Sequence, residues 1–148
     1  MPLEYRQGDL FAAGDLNAFA HGCNCAGVMG KGIALEFKRR YPRMYEEYRQ
    51  RCLRGQFDLG DVFTWSENSL TIFNLATQSK PGSIAQLVAI ETALRSMTAL
   101  GENLHLEKIG LPRIGAGLGQ LNWELVKAAI ERVAASTTVT LVIFDFQP

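Results

Sequence analysis

Gly22-Cys23-Asn24-Cys25-Ala26-Gly27-Val28-Met29-Gly30-Lys31-Gly32-Ile33-Ala34 is the stretch that decides the fold of this chain. The apolar run Ala18 to Asn24 leads into it, glycines stand at 27, 30 and 32, and the helical pattern Ile33-Ala34-Leu35-Glu36-Phe37 leads out. A strand, a glycine-rich loop and a helix in that order make a cradle for an anion. Glycine lets backbone N–H groups turn inward and approach closely, and the first helical turn leaves donors unpaired beside the positive end of the helix dipole. A second loop, Gly115-Ala116-Gly117-Leu118-Gly119, follows the strand-like Ile109-Gly110-Leu111 and precedes another helical pattern. Taken singly, each loop also fits an ordinary tight strand-to-helix connection. Neither keeps the spacing of Gly-x-Gly-x-x-Gly or Gly-x-x-x-x-Gly-Lys-Ser/Thr, and Lys31 lacks the hydroxyl neighbour that would hold Mg²⁺. Together they favour two phosphates gripped between two loops.

Bulk properties narrow the class. A chain of 148 residues is one ordinary domain with a core of its own, and 47% apolar with 20% charged residues excludes disorder for most of it. No apolar run approaches the ~18 residues that cross a bilayer, and Met1-Pro2-Leu3-Glu4 does not resemble a signal peptide. A soluble, cytoplasmic protein is expected. Three cysteines, an odd number, argue for reduced thiols. Net charge is zero, so whole-molecule attraction to nucleic acid is not available, but the distribution is uneven: from Lys31 to Gly55 there are 8 basic residues and 3 acidic ones. That run reads as a solvated helix face or as a patch that follows phosphates.

In chain order, Leu3-Glu4-Tyr5-Arg6-Gln7 alternates as a half-buried strand ended by Gly8-Asp9. Asp9 reads as a turn or cap residue, or as an acceptor for an exocyclic amine such as adenine N6. Ala18 to Asn24 is apolar enough to be covered on both faces. His21, Cys23 and Cys25 share its parity, but no fourth ligand stands at zinc spacing, so core packing is expected. Asn24 should point the other way at the strand end, where open α/β sheets bind ligands. Pro42 opens a second helix, Val62-Phe63-Thr64-Trp65 and Leu70 to Thr77 read as strands with a turn at Glu67-Asn68, and Gln78-Ser79-Lys80-Pro81-Gly82 follows. Lys80 is either an exposed loop lysine or an amine aimed at an electrophilic carbon. Ser83-Ile84-Ala85-Gln86 has capping-box form, before a helix with Leu87, Ile90, Leu94 and Met97 on one stripe and Gly101 as its stop. Lys108 to Leu111 is the next strand, Asn122 caps a helix burying Trp123, Val126, Ile130 and Val133, and Val139 to Phe146 closes the chain as a strand. This alternation implies a largely parallel sheet with helices on both faces.

Gly8-Asp9-Leu10, Asn24-Cys25 through Gly30-Lys31-Gly32-Ile33-Ala34, Gly110 through Leu118 and the closing strand together resemble a macrodomain, the ADP-ribose-binding α/β/α fold, over essentially the whole chain. The resemblance implies a three-layer α/β/α domain over residues 1–148, with a mixed, mostly parallel six-stranded sheet, and the chain could be excised from a longer protein. Gly30 to Lys38, Asn74 to Lys80 and Gln120-Leu121-Asn122-Trp123 resemble the branch of the terminal ADP-ribose protein glycohydrolase, and within it the macrodomains of DarG antitoxins. Those remove ADP-ribose from thymidine in DNA after attack by the partner toxin DarT.

Carried to matching positions, the resemblance implies that Asp9 and Leu10 bind adenine and Phe144 packs against it. Gly30, Lys31, Gly32, Ile33 and Ala34 would hold one phosphate, and Gly115, Ala116, Gly117 and Leu118 the other. Asn24 would contact the distal ribose and Lys80 would be catalytic, with no metal or other cofactor. The implied substrate is ADP-ribosylated single-stranded DNA, with a DarT-like toxin as a partner and no membrane. Relatives acting on protein carry an aspartate where this chain has Gly119, which weakens the reading as a hydrolase of Glu- or Asp-linked ADP-ribose. A non-catalytic ADP-ribose reader is the alternative, and a nicotinamide dehydrogenase is remote because its fingerprint is absent.

Overall fold

Alternation along one strand sets the layers. A computed structural model describes residues 3–145 and has the order β1 (Leu3–Gln7), a 3-10 turn (Leu10–Ala12), β2 (Ala18–Asn24), α1 (Gly32–Arg40), α2 (Pro42–Leu53), β3 (Val62–Glu67), β4 (Leu70–Gln78), α3 (Leu87–Asn103), β5 (Lys108–Pro112), α4 (Trp123–Ala134) and β6 (Thr140–Asp145). In β2, Ala18 and Ala20 enter a core shared with α3 and α4, whereas Phe19, His21 and Cys23 face α1 and α2. Successive side chains of a strand point to opposite faces, so one apolar strand feeds two cores.

The six strands are ordered β1-β6-β5-β2-β4-β3, all parallel to their neighbours except β3, which runs antiparallel to β4 at one edge. The mixed, mostly parallel three-layer architecture expected from the sequence is therefore present. The β3–β4 hairpin turns through Asn68 (φ 49°) and Ser69 (φ 65°), the double left-handed geometry that matches strand twist in two-residue loops. Parallel strands point their C-terminal ends one way, and both glycine loops emerge there, after β2 and after β5.

Two helix boundaries differ from expectation. Helix α3 begins at Leu87 rather than from a Ser83 cap, because the Ser83 hydroxyl donates to Lys80 O at 2.6 Å and is spent on its own turn. Gly101 does not stop α3, which continues to Asn103. A Cβ there would lie 3.2 Å from Ile109 Cδ1, so this glycine serves close helix-to-sheet packing. Asn122 does cap α4, its Oδ1 accepting from Glu124 N at 2.9 Å. Val126, Ile130 and Val133 are buried as expected, while Trp123 is only half-buried. The end of the last expected strand, Phe146, lies outside the described residues.

Candidate functional site

A cleft of about 750 Å³ opens at the C-terminal ends of the strands, a size typical of small-ligand sites. Asp9, Leu10 and Phe144 form one end and Gly32, Ile33, Ala116 and Gly117 the other. Seven expected residues thus meet around one space. Gly30, Lys31, Ala34, Gly115, Leu118, Asn24 and Lys80 are not part of its lining.

Asp9 serves as the cap residue expected of it. Its Oδ1 accepts from Phe11 N at 2.9 Å, capping the short turn, and the exposed carboxylate borders the cleft. Phe144 is nearly buried, with the Arg6 guanidinium 5.7 Å from its ring centre. At the other end, α1 starts at Gly32, whose φ of +61° is a left-handed conformation suited to glycine. The N–H groups of the first helical turn have no partner within the helix, and Gly32 and Ile33 of that turn line the cleft. The second loop is tied by Leu121 N to Gly115 O (2.8 Å) and Gln120 N to Gly117 O (3.1 Å). Its Leu118 reaches across to the first loop: a Cβ on Gly32 would stand 3.4 Å from Leu118 Cδ1. The two loops are therefore in contact beside the cleft.

The first loop is held from behind by α2. Asn24 spends its side chain on its own loop: Oδ1 accepts from Ala26 N (3.0 Å), Val28 N (3.3 Å) and the Tyr48 hydroxyl (2.9 Å), while Nδ2 donates to Val28 O (2.7 Å). Strict alternation would send Asn24 toward α3 and α4. A register shift between Cys23 and Asn24 instead lets its amide meet Tyr48 from the α2 side, so the expected orientation is corrected. Tyr48 is fully buried, which pushes its hydroxyl far above the usual range and keeps it a donor, and Tyr45 Oη donates to Gly27 O at 2.9 Å.

Lys80 stands on an exposed turn that touches both loops. Cys25 N donates to Gln78 O (3.0 Å) and Ser79 O (3.3 Å) on one side, and Ala85 N donates to Gly119 O (2.8 Å) on the other. The turn is pinned by Gln78 Nε2 and Ser83 Oγ, both donating to Lys80 O. The turn that carries Lys80 is thus hydrogen-bonded to both glycine loops, while Lys80 itself is exposed and outside the cleft lining. Gly119 leaves no room for a side chain: a Cβ there would be 2.7 Å from Gly115 O and 2.8 Å from Ala85 Cβ.

Several wall residues had no sequence signal. The Arg40 guanidinium lies 4.4 Å over the Phe11 ring and pairs with Glu36 at 2.8 Å. Arg113 lies 4.8 Å over Trp123 and pairs with Asp145 at 3.2 Å. Both arginines line the cleft. Glu36–Arg40 is an ordinary i,i+4 helix pair, but the contacts of Arg40 with Phe11 and of Arg113 with Trp123 and Asp145 join residues that no spacing rule relates.

His21 and Cys23 of β2 are core groups, and Cys25 just beyond the strand is partly buried against the same core. Asn74 Nδ2 donates to Phe63 O (3.1 Å), which leaves Asn74 Oδ1 to accept from His21 Nε2 at 2.6 Å, and the imidazole stacks on Phe37 at 4.1 Å. Burial lowers the His21 pKa to about 4 against the opposing Asn74 bond, and burial pushes the Cys23 and Cys25 thiols up, Cys25 to about 11. Among the described residues no group of three or more His, Cys, Asp or Glu is placed to hold a metal, and no helix is long and apolar enough to cross a membrane.

Known proteins share this fold. A Mycobacterium tuberculosis protein named DNA ADP-ribosyl glycohydrolase is 36% identical over 129 residues, which cover 84% of this chain and 36% of that protein. This chain thus spans a little over a third of the length of that relative. The structure titled macrodomain of M. tuberculosis DarG superposes with a TM-score of 0.89 at 33% identity, covering 96% of each chain. That of Thermus aquaticus DarG gives 0.86 at 31% identity, covering 99% of this chain and 98% of the other. A Macro domain family model matches residues 20–130, and this chain belongs to the macrodomain family.

Proposed function

We propose that this macrodomain binds ADP-ribose in the cleft and hydrolyses its bond to thymidine in single-stranded DNA, as the antitoxin to a DNA ADP-ribosyltransferase of the DarT kind. Such an enzyme would act in the cytoplasm, where its DNA substrate is. Adenine would lie between Asp9, Leu10 and Phe144. The pyrophosphate would sit on the first loop (Gly30, Lys31, Gly32, Ile33, Ala34) and the second (Gly115, Ala116, Gly117, Leu118). The distal ribose would then reach Asn24 and Lys80. Because Oδ1 of Asn24 already has three donors and Nδ2 one acceptor, Asn24 would offer the sugar an N–H rather than a carbonyl.

Hydrolysis breaks the bond from the anomeric carbon to the thymine nitrogen. The electron pair leaves on the base, which takes a proton, and water oxygen ends on the sugar. Lys80 would either form a transient adduct with the anomeric carbon or stabilise the departing thymine anion, while the two loops and Asp9 supply positional energy. No metal or other cofactor is required by either route.

The observation that carries the DNA-base reading over an ester-linked one is the closure around Gly119. A lysine–aspartate pair suited to acyl-linked substrates has no space for its acid there. Single-stranded DNA ADP-ribosylated on thymidine and protein ADP-ribosylated on glutamate, incubated in parallel with the protein, test the proposal. Release from DNA alone is expected. Release from protein alone would refute the proposal, and binding without release from either would make the domain a reader.

A further inference from the structure

The excess of positive charge noted in the sequence lies on α1 and α2. Residues 31–55 carry 8 basic and 3 acidic side chains, and the rest of the chain carries 7 and 12. A neutral protein is therefore strongly polarised, with one cationic layer beside the first glycine loop. Not every cation in it is available. Arg40 pairs with Glu36 at 2.8 Å, and Arg51 is turned over the Phe63 ring at 4.3 Å. Arg49 and Lys38 are differently placed. A Cβ on Gly27 would stand 3.6 Å from Arg49 Cγ, so the stem of Arg49 lies along the first loop, with its guanidinium half exposed and only a 3.5 Å contact to Glu46. Lys38 Nζ sits 4.4 Å over the ring of Tyr45, whose hydroxyl binds Gly27 O. Both cations thus flank the 25–28 segment, and Cys25 of that segment is hydrogen-bonded to Gln78 and Ser79 of the Lys80 turn.

Resting on the proposed reading, we propose that this surface is the track for the DNA strand: the backbone leaving the modified thymidine crosses the 25–28 segment onto α1 and α2, where Arg49 and Lys38 contact phosphates. An aliphatic stem packed on the loop and an ammonium seated on an aromatic face hold the two charges in place, so little side-chain entropy is lost on contact. The opposite end of the cleft does not compete, because Arg113 is matched by Asp145 and Arg6 by Glu4 and Asp15. The track makes the enzyme prefer a modified strand over a modified nucleoside without any base being read.

Turnover of ADP-ribosylated thymidine mononucleoside is compared with that of ADP-ribosylated oligonucleotides of increasing length, for the wild type, Arg49→Gln and Lys38→Gln together, and Arg49→Lys. The wild type is expected to gain kcat/KM with length and to show a negative salt slope, of about −0.7 per phosphate contacted, on the long substrate only. The double variant should lose about 1.4 from that slope, two contacts' worth, keep its mononucleoside turnover and melt within a few degrees of wild type, while Arg49→Lys retains most of the gain. Equal kcat/KM for mononucleoside and long strand would overturn the track and leave the glycohydrolase reading standing. So would an equal loss on both substrates in the double variant. Absence of turnover on every length would overturn that reading and the track with it.

Discussion

Replacing Tyr48 with phenylalanine removes one oxygen and nothing else. The ring stays packed against Phe57, 5.6 Å between centres, in a fully buried site, so no cavity larger than a hydroxyl is left. The lost atom donates toward Asn24 O at 2.8 Å and Asn24 Oδ1 at 2.9 Å, with Val28 O at 3.5 Å. One proton serves these acceptors, so the loss is that of one good hydrogen bond plus partial exposure of its partners' need. Oδ1 keeps Ala26 N and Val28 N, which limits the second contribution. A stability loss of about 1–2 kcal/mol is expected, read from urea unfolding. The functional consequence is larger than the position suggests, because Tyr48 is the only described side chain joining the helical layer to the Asn24 amide. Without it the amide keeps only its bonds to Ala26 and Val28 of its own loop, so the loop and the Asn24 N–H it presents to the ribose are no longer anchored through that side chain to α2. ADP-ribose affinity measured by calorimetry should fall roughly three- to tenfold, or ~0.7–1.4 kcal/mol. Tyr45→Phe, which loses a bond only to Gly27 O, should cost less affinity. If Tyr48→Phe loses the stability and keeps full affinity, the hydroxyl does not position Asn24.

Lys80→Ala should leave ADP-ribose affinity within a few-fold, since the turn is pinned through the backbone oxygen of residue 80, and should abolish turnover on ADP-ribosylated oligonucleotide; retained turnover removes Lys80 from the mechanism. Gly119→Asp must push its Cβ into Gly115 O and Ala85, so it should lose ~1–3 kcal/mol and weaken ADP-ribose binding without gaining release from glutamate; gained release would contradict the steric account. His21 makes stability depend on pH. Its folded pKa of about 4 lies below the ordinary 6.5, so between those values the unfolded chain takes up a proton that the fold refuses. The contribution is complete above pH 6.5 and lost as pH falls toward 4, in total ~3 kcal/mol. Urea unfolding from pH 7 to pH 5 isolates this, because the carboxylates held low by arginine partners, Glu4 and Glu91, act only below their ordinary value of 4.5. Flat stability across that range would contradict it.

The parts of this molecule that were legible in sequence are those in which neighbours in the chain are neighbours in space. Strand β2, its glycine loop and α1 could be read because a run of thirteen residues carries the apolar strand, the left-handed Gly32 and the helix start in order. Asn122 announced α4 for the same reason, since its cap reaches only to Glu124. Ser83 misled because the same hydroxyl can serve a helix start or its own turn, and the local Lys80 oxygen was closer. Gly101 misled because a glycine past a helix and a glycine pressed against Ile109 look alike in one dimension. The walls of the cleft were illegible for a different reason. Phe11 with Arg40, and Arg113 with Trp123 and Asp145, come together only when β1, β5 and β6 take their places in the sheet. Tyr48 likewise carried no signal, because its hold on Asn24 depends on α2 folding back over the first loop.

The most direct test of the account is a crystal structure of this protein with ADP-ribose bound. The account predicts adenine between Asp9 and Phe144 and pyrophosphate oxygens on the amides at the start of α1 and in the 115–118 loop. It also predicts the Lys80 amine within about 3–3.5 Å of the anomeric carbon or of its leaving atom. A nucleotide bound outside the cleft, or seated in it with its anomeric carbon at the Asp9 end, would contradict it.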